Sequence, residues 1–151
     1  PLDSYQKTYR LVKDRNLTVI VNLPHGHEQG WAPVEIGLFI DQHLKKGTPL
    51  FRFDERNYEI REENGEKTVF IPITQRQGAG EIKRVQLNWT ADLKLPWQKR
   101  KWQQTDAAVM PGGATDFWSV KLPKERPIVW FLTAIDDRKA TISTEHVVQE
   151  K

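Results

Sequence analysis

Apolar and polar positions along this chain follow two different periods, and the change falls near residue 48. Before it, Val34, Ile36, Phe39, Ile40 and Leu44 recur at helical spacing. Pro33 suits the first helical position, Glu35 lies in the positive first turn, and Lys45, Lys46 and Gly47 close the element. Tyr5, Tyr9 and Val12 mark one face of an earlier helix that opens at Asp3 or Ser4, with Gln6 placed to reach back toward its start. Between the two helices, Thr18-Val19-Ile20-Val21 is a β-branched run of the kind that packs as a strand buried on both faces. It stops at Asn22-Leu23-Pro24, because Pro24 has no N–H for a sheet ladder. The turn that follows carries His25, Gly26 and His27, and Gly26 and Gly30 are expected to supply backbone freedom there.

After Thr48-Pro49, the predicted linker, helical periodicity gives way to short alternating runs. Tyr58 to Arg61 and Thr68 to Ile73 flank Asn64-Gly65, a strong hairpin signal. Lys83, Val85, Leu87 and Trp89 alternate with Arg84, Gln86 and Asn88. Trp102 to Val109 reads as one further strand before the Pro111-Gly112-Gly113 turn. Phe117 to Leu122, Ile128 to Ile135 and Ala140 to Val148 complete the series, the last two joined across Asp136 to Lys139. About seven short strands in roughly 100 residues is the pattern of an immunoglobulin-like β-sandwich. The predicted organisation is therefore mixed: an α/β segment over residues 1–48, then an all-β sandwich over 49–151.

Composition narrows the function classes. With 23 basic and 20 acidic residues the formal net charge is +3, too mild to define a nucleic-acid-binding face. The Gln98-Lys99-Arg100-Lys101 run between two tryptophans is offset by the acidic stretch around Glu59 to Glu66, so nucleic acid is not expected as a partner. There is no cysteine, which removes disulfide frameworks and thiolate metal sites. No apolar run approaches the ~18 residues of a membrane helix.

The first 47 residues resemble the carboxyl-terminal end of an α/β-hydrolase catalytic domain, of the acetyl-xylan-esterase and prolyl-oligopeptidase-like branch. PLDSYQKTYRLV is similar to that family's turn and helix after the catalytic acid, LTVIVNL to its last strand, HGH to its histidine loop, and WAPVEIGLFIDQHL to its closing helix. Some bacterial members carry an appended β-sandwich, and LPWQKRKW and FLTAIDDRKATISTEHV resemble such domains. The resemblance implies a serine hydrolase, secreted or periplasmic, acting on a small ester or carbohydrate ester without a cofactor. It also implies that the triad acid sits a few residues before Pro1. The nucleophile elbow G-x-S-x-G is absent from all 151 residues, so the chain is expected to be a fragment that works with an upstream catalytic domain and is inactive alone.

His27, preceded by Gly26, is the residue the resemblance assigns as the general base. His25 is expected to support the loop. The two histidines lack the third and fourth ligands of a metal site, because His43 and His146 belong to other elements. Trp89 and Trp130 lie in alternating runs and are expected in the core, whereas Trp97 and Trp102 flank the basic run outside any alternation. These two are the candidates for binding a sugar or a partner. A second functional class follows from them: a non-catalytic sandwich that binds carbohydrate or protein, with the first 47 residues as its cap. The run Val19 to Val21 is expected to expose apolar surface and to allow self-association through the strand edge.

Overall fold

The alternation after residue 50 resolves into two antiparallel sheets in the computed structural model, which describes residues 2–55, 57–110 and 116–150, with backbone alone at residues 2 and 3. The first sheet runs β1 (Arg52–Phe53), β3 (Glu66–Thr74), β7 (Phe117–Lys121), β6 (Ala108–Met110), and β2 (Glu59–Glu63) also pairs with β3. The second runs β10 (Val147–Gln149), β8 (Ile128–Asp136), β4 (Ile82–Thr90), β5 (Gln103–Asp106), with β9 (Thr141–Ser143) pairing β8. Val69, Ile71 and Ile73 of β3 face Val85, Leu87, Trp130 and Leu132 of β4 and β8 across one apolar core, which Leu50 and Phe51 enter fully buried. This is the two-sheet part of the predicted architecture.

Local chemistry accounts for the turns. Asn64 and Gly65 both have positive φ, 52° and 74°, as a two-residue hairpin with matched twist requires. At the β8–β9 turn the buried Asp136 carboxylate accepts from the Arg138 and Ala140 amides, each at 2.9 Å, and pairs with the Arg138 guanidinium at 2.6 Å. Arg138 also donates to the Pro49 carbonyl at 3.1 Å. The Thr48-Pro49 linker is thus tied to the sandwich. A Cβ at Gly80 would lie 2.4 Å from the Asp136 Oδ2, so this position has no room for a side chain.

One predicted strand is two. Residues 103–110 pair first with β4 in the second sheet and then with β7 in the first, the change coming at Ala107, whose N–H bonds the Val85 carbonyl at 2.8 Å. Polar outward positions leave the strand free to change sheets: Gln103 to Asp106 are all exposed. The Pro111-Gly112-Gly113 turn lies outside the described residues.

The amino-terminal segment forms α1 (Leu2–Tyr9), a five-residue helix α2 (His27–Trp31) and α3 (Val34–Leu44). Three local expectations are corrected here. Lys46, with φ 53°, takes the left-handed position after α3, while Gly47 packs close to α3, where a Cβ would lie 3.1 Å from the Asp41 backbone. Gly26 is extended, at φ −168°, which any residue adopts, and Gly30 lies inside α2. Gln6 reaches across to the His146 carbonyl at 3.3 Å instead of back to its own helix start.

The run Leu17 to Val21 belongs to neither sheet. It lies extended beside β9: Ser143 N–H donates to the Leu17 carbonyl at 2.7 Å, Thr18 Oγ1 to the Thr141 carbonyl at 2.7 Å, and Val19 N–H to Ser143 Oγ at 3.1 Å. Irregular partner spacing, with side-chain oxygens in place of alternate ladder bonds, keeps it from forming a regular strand. Beneath it a polar row crosses the outer face of the second sheet. Gln104 donates to Asn88 at 2.8 Å, Asn88 to Thr133 at 2.9 Å, and Thr133 meets Ser143 at 3.2 Å.

Candidate functional site

The outer face of β8 explains how the amino-terminal segment meets the sandwich. The run Ile128 to Ala134 is apolar at nearly every position and buried throughout, so both of its faces are covered. Trp130 and Leu132 face the core, while Phe131 points to the other side and meets the Trp102 ring edge-on at 5.2 Å. Phe131 and Trp102, with Trp97, Gln98, Val19 to Leu23 and His25, line a groove of about 740 Å³. The two stretches singled out by sequence, the histidine turn and the tryptophan loop, therefore border the same groove.

Trp97 and Trp102 are half-buried and lie nearly parallel, with ring centroids 6.1 Å apart and 13° between planes. A 3₁₀ turn, Trp97–Lys99, brings the chain round so that Arg100 stacks on Trp97, its guanidinium carbon 3.7 Å from the ring centre. Arg100 also donates to the Leu93 and Leu95 carbonyls at 3.0 and 2.9 Å, fixing the loop from within. The basic run is thereby partly spent on structure: Arg100 holds the loop, while Gln98, Lys99 and Lys101 remain exposed. Trp97 packs edge-on against His146 at 5.5 Å, and His146 receives the α1 side chain Tyr5, whose hydroxyl is 3.3 Å from Nδ1. Burial pushes the Tyr5 hydroxyl up to about 12, so it stays protonated.

His27 opens α2 and is exposed, and its side chain makes no hydrogen bond among the described residues. His25, two residues earlier, is the histidine that lines the groove. Trp31 at the end of α2 is 73% exposed. The turn is bounded by Asn22 at φ 60° and by Leu23 N–H bonding the Ile20 carbonyl at 3.4 Å, which reverses the chain just before the histidines. The other histidines are engaged elsewhere: His43 pairs with Asp14 at 3.3 Å and packs at a tilt against Phe39, ring centroids 4.5 Å apart. Among the described residues no three His, Asp or Glu side chains are grouped to hold a metal ion, and no helix is long and apolar enough to cross a membrane.

Behind α2, α3 inserts a carboxylate into the seam. Glu35 is buried, accepts from the Thr141 amide through Oε1, and leaves Oε2 without a partner among the described residues. Its place in the positive first turn of α3 offsets part of the cost of burying that charge. Sequence reasoning found the position of Glu35 in the helix but not its burial, nor Phe131 and Gln98 in the groove. The continuous apolar run of β8 was the available signal for Phe131, since a strand with no polar alternation needs a cover on both faces.

No protein-family model matches the chain, and neither a curated protein nor a solved structure does.

Proposed function

We propose that residues 1–48 are the closing segment of an α/β-type serine-hydrolase catalytic domain, with His27 as general base, and that residues 49–151 are its appended immunoglobulin-like sandwich. The observation that carries this reading is where apolar surface is left uncovered. Of fifteen exposed large apolar side chains among the described residues, eight lie in the first 49 residues: Leu11, Val12, Ile20, Leu23, Trp31, Val34, Ile40 and Leu44. They lie on a segment that, among the described residues, contributes no buried apolar side chain, as expected of elements that complete a larger catalytic body. In that enzyme His27 takes the proton of a serine and passes it to the leaving group, with its second nitrogen held by a carboxylate. Serine and carboxylate come from the remainder of the catalytic domain, which also shapes the pocket for a small carboxyl or sugar ester.

The test is kinetic. In the polypeptide that includes the catalytic domain, His27→Ala lowers turnover of a simple aryl ester by a factor of about 10³ or more with KM little changed, whereas His25→Ala costs far less. If His25→Ala is the more damaging change, the assignment within the turn is wrong. If neither matters, the hydrolase reading fails.

A second reading, a sandwich that binds carbohydrate without catalysis, is favoured by the paired Trp97 and Trp102 indoles on the groove. Under it, the 151-residue chain binds a xylo- or cello-oligosaccharide, Trp97→Ala and Trp102→Ala abolish binding, and His27→Ala leaves it unchanged.

A further inference from the structure

The groove shared by the histidine turn and the tryptophan loop is lined by neither carboxylates nor the cations of lysine and arginine, among the described residues. Lys99 and Lys101 follow Gln98 closely in sequence but are not part of its lining. Each stretch instead brings one neutral amide, Asn22 from the turn and Gln98 from the loop. Both residues are exposed, and neither side chain has a hydrogen-bond partner among the described residues. An amide both donates and accepts, so the pair matches hydroxyl groups, which do the same. Apolar contact comes from Leu23 and Ile20, 44% and 38% exposed, and from the half-buried Trp97 and Trp102. At about 740 Å³ the space falls within the roughly 300–1,000 Å³ of small-molecule sites.

We infer that this groove is the leaving-group subsite of the proposed hydrolase, holding the neutral sugar alcohol of the ester, with Asn22 and Gln98 as the residues that determine specificity. The inference rests on the hydrolase reading and extends it by making the sandwich part of the substrate site. Chain geometry supplies the link. His25 lines the groove and His27 is two residues further on, so the two Cα atoms lie within about 7 Å of each other. An ester whose carbonyl sits at His27 therefore has its alcohol within reach of the groove. A sugar alcohol gives both amides hydroxyl partners and lays its C–H surface on the apolar side chains. An aryl alcohol gives the amides little to bond, and a sugar acid finds no Lys or Arg in the lining.

The experiment uses the polypeptide that includes the catalytic domain, with acetylated xylotriose, acetylated trigalacturonate and 4-nitrophenyl acetate as substrates. Two deletions of an amide are chosen to spare the fold. Gln98→Ala removes an exposed side chain without a partner among the described residues, and Asn22→Gly keeps a residue that accepts φ 60°. Each is expected to lower the ratio of kcat/KM for acetylated xylotriose to kcat/KM for the aryl ester about tenfold, through KM. The parent enzyme is expected to prefer acetylated xylotriose to acetylated trigalacturonate. If His27→Ala silences hydrolysis while the ratio holds in both amide variants, or falls through kcat alone, the inference is overturned and the hydrolase reading stands. Preference for the galacturonate ester likewise overturns it. If His27→Ala retains turnover of every ester, the hydrolase reading falls and the inference falls with it.

Discussion

The first 49 residues and the sandwich that follows bury their side chains in opposite ways. In the sandwich, seventeen buried apolar residues among the described ones, from Leu50 to Ile142, form one cluster. In the amino-terminal segment the one buried side chain among the described residues is a carboxylate, Glu35, and the helices lie on the sandwich through hydrogen bonds and half-buried faces. Tyr5 and Gln6 meet His146, Thr18 and Val19 meet β9, and the Leu50 amide donates to Gln42 Oε1 at 2.9 Å. One region holds itself together; the other is held. The exposed apolar side chains of the amino-terminal segment remain available for further contacts.

The comparison breaks most sharply under truncation of apolar side chains. Phe51→Ala, at a fully buried position, is expected to cost about 3–5 kcal/mol in denaturant unfolding. Leu44→Ala, at a position 79% exposed, should stay within about 0.5 kcal/mol. Comparable losses at both positions would mean that α3 has a core of its own. Asp136→Ala comes next, at about 3 kcal/mol, because it strands two amides and the Arg138 guanidinium that also holds the Pro49 carbonyl. Ser143→Ala should cost about 1 kcal/mol and speed amide exchange at Val19, since one hydroxyl serves both the polar row and the docked segment.

The smallest effect depends on pH. Burial, with the Glu145 charge adding to it, raises the Glu55 carboxyl above its ordinary value of 4.5. A carboxyl whose folded pKa is raised contributes stability below the unfolded value and loses that contribution as pH rises through the folded one. Glu55→Gln is therefore expected to raise Tm at pH 7, with the gain shrinking as pH falls toward 4.5 and vanishing below it. A gain that is the same at pH 7 and pH 4 would show that the carboxylate charge is not the cause.

How much of this was legible depended on whether the determining contacts were local. Asn64-Gly65 specifies its own positive-φ turn, and the alternation of Val85, Leu87 and Trp89 fixes which face of β4 enters the core, so both were readable. The sheet change at Ala107 was not, because an exposed polar strand carries no sign of which sheet will pair with it. Thr18 to Val21 read as a strand on composition, but its pairing depends on neighbours, and beside β9 it meets side-chain oxygens as well as backbone. Trp97 and Trp102 read as exposed because they sit outside any alternation; their stacking against each other, Arg100, His146 and Phe131 is a product of tertiary folding. The same is true of the shared groove, whose two walls are more than 70 residues apart in sequence.

Native-state amide exchange of the 151-residue chain tests most directly whether the histidine-bearing segment is held by the sandwich and lacks a core of its own. The account predicts that amides of β4 and β8 exchange only through global unfolding, while those of α2 and α3 exchange through a separate opening of lower free energy that Ser143→Ala lowers further. Equal protection across α3, β4 and β8, unchanged by Ser143→Ala, would contradict it.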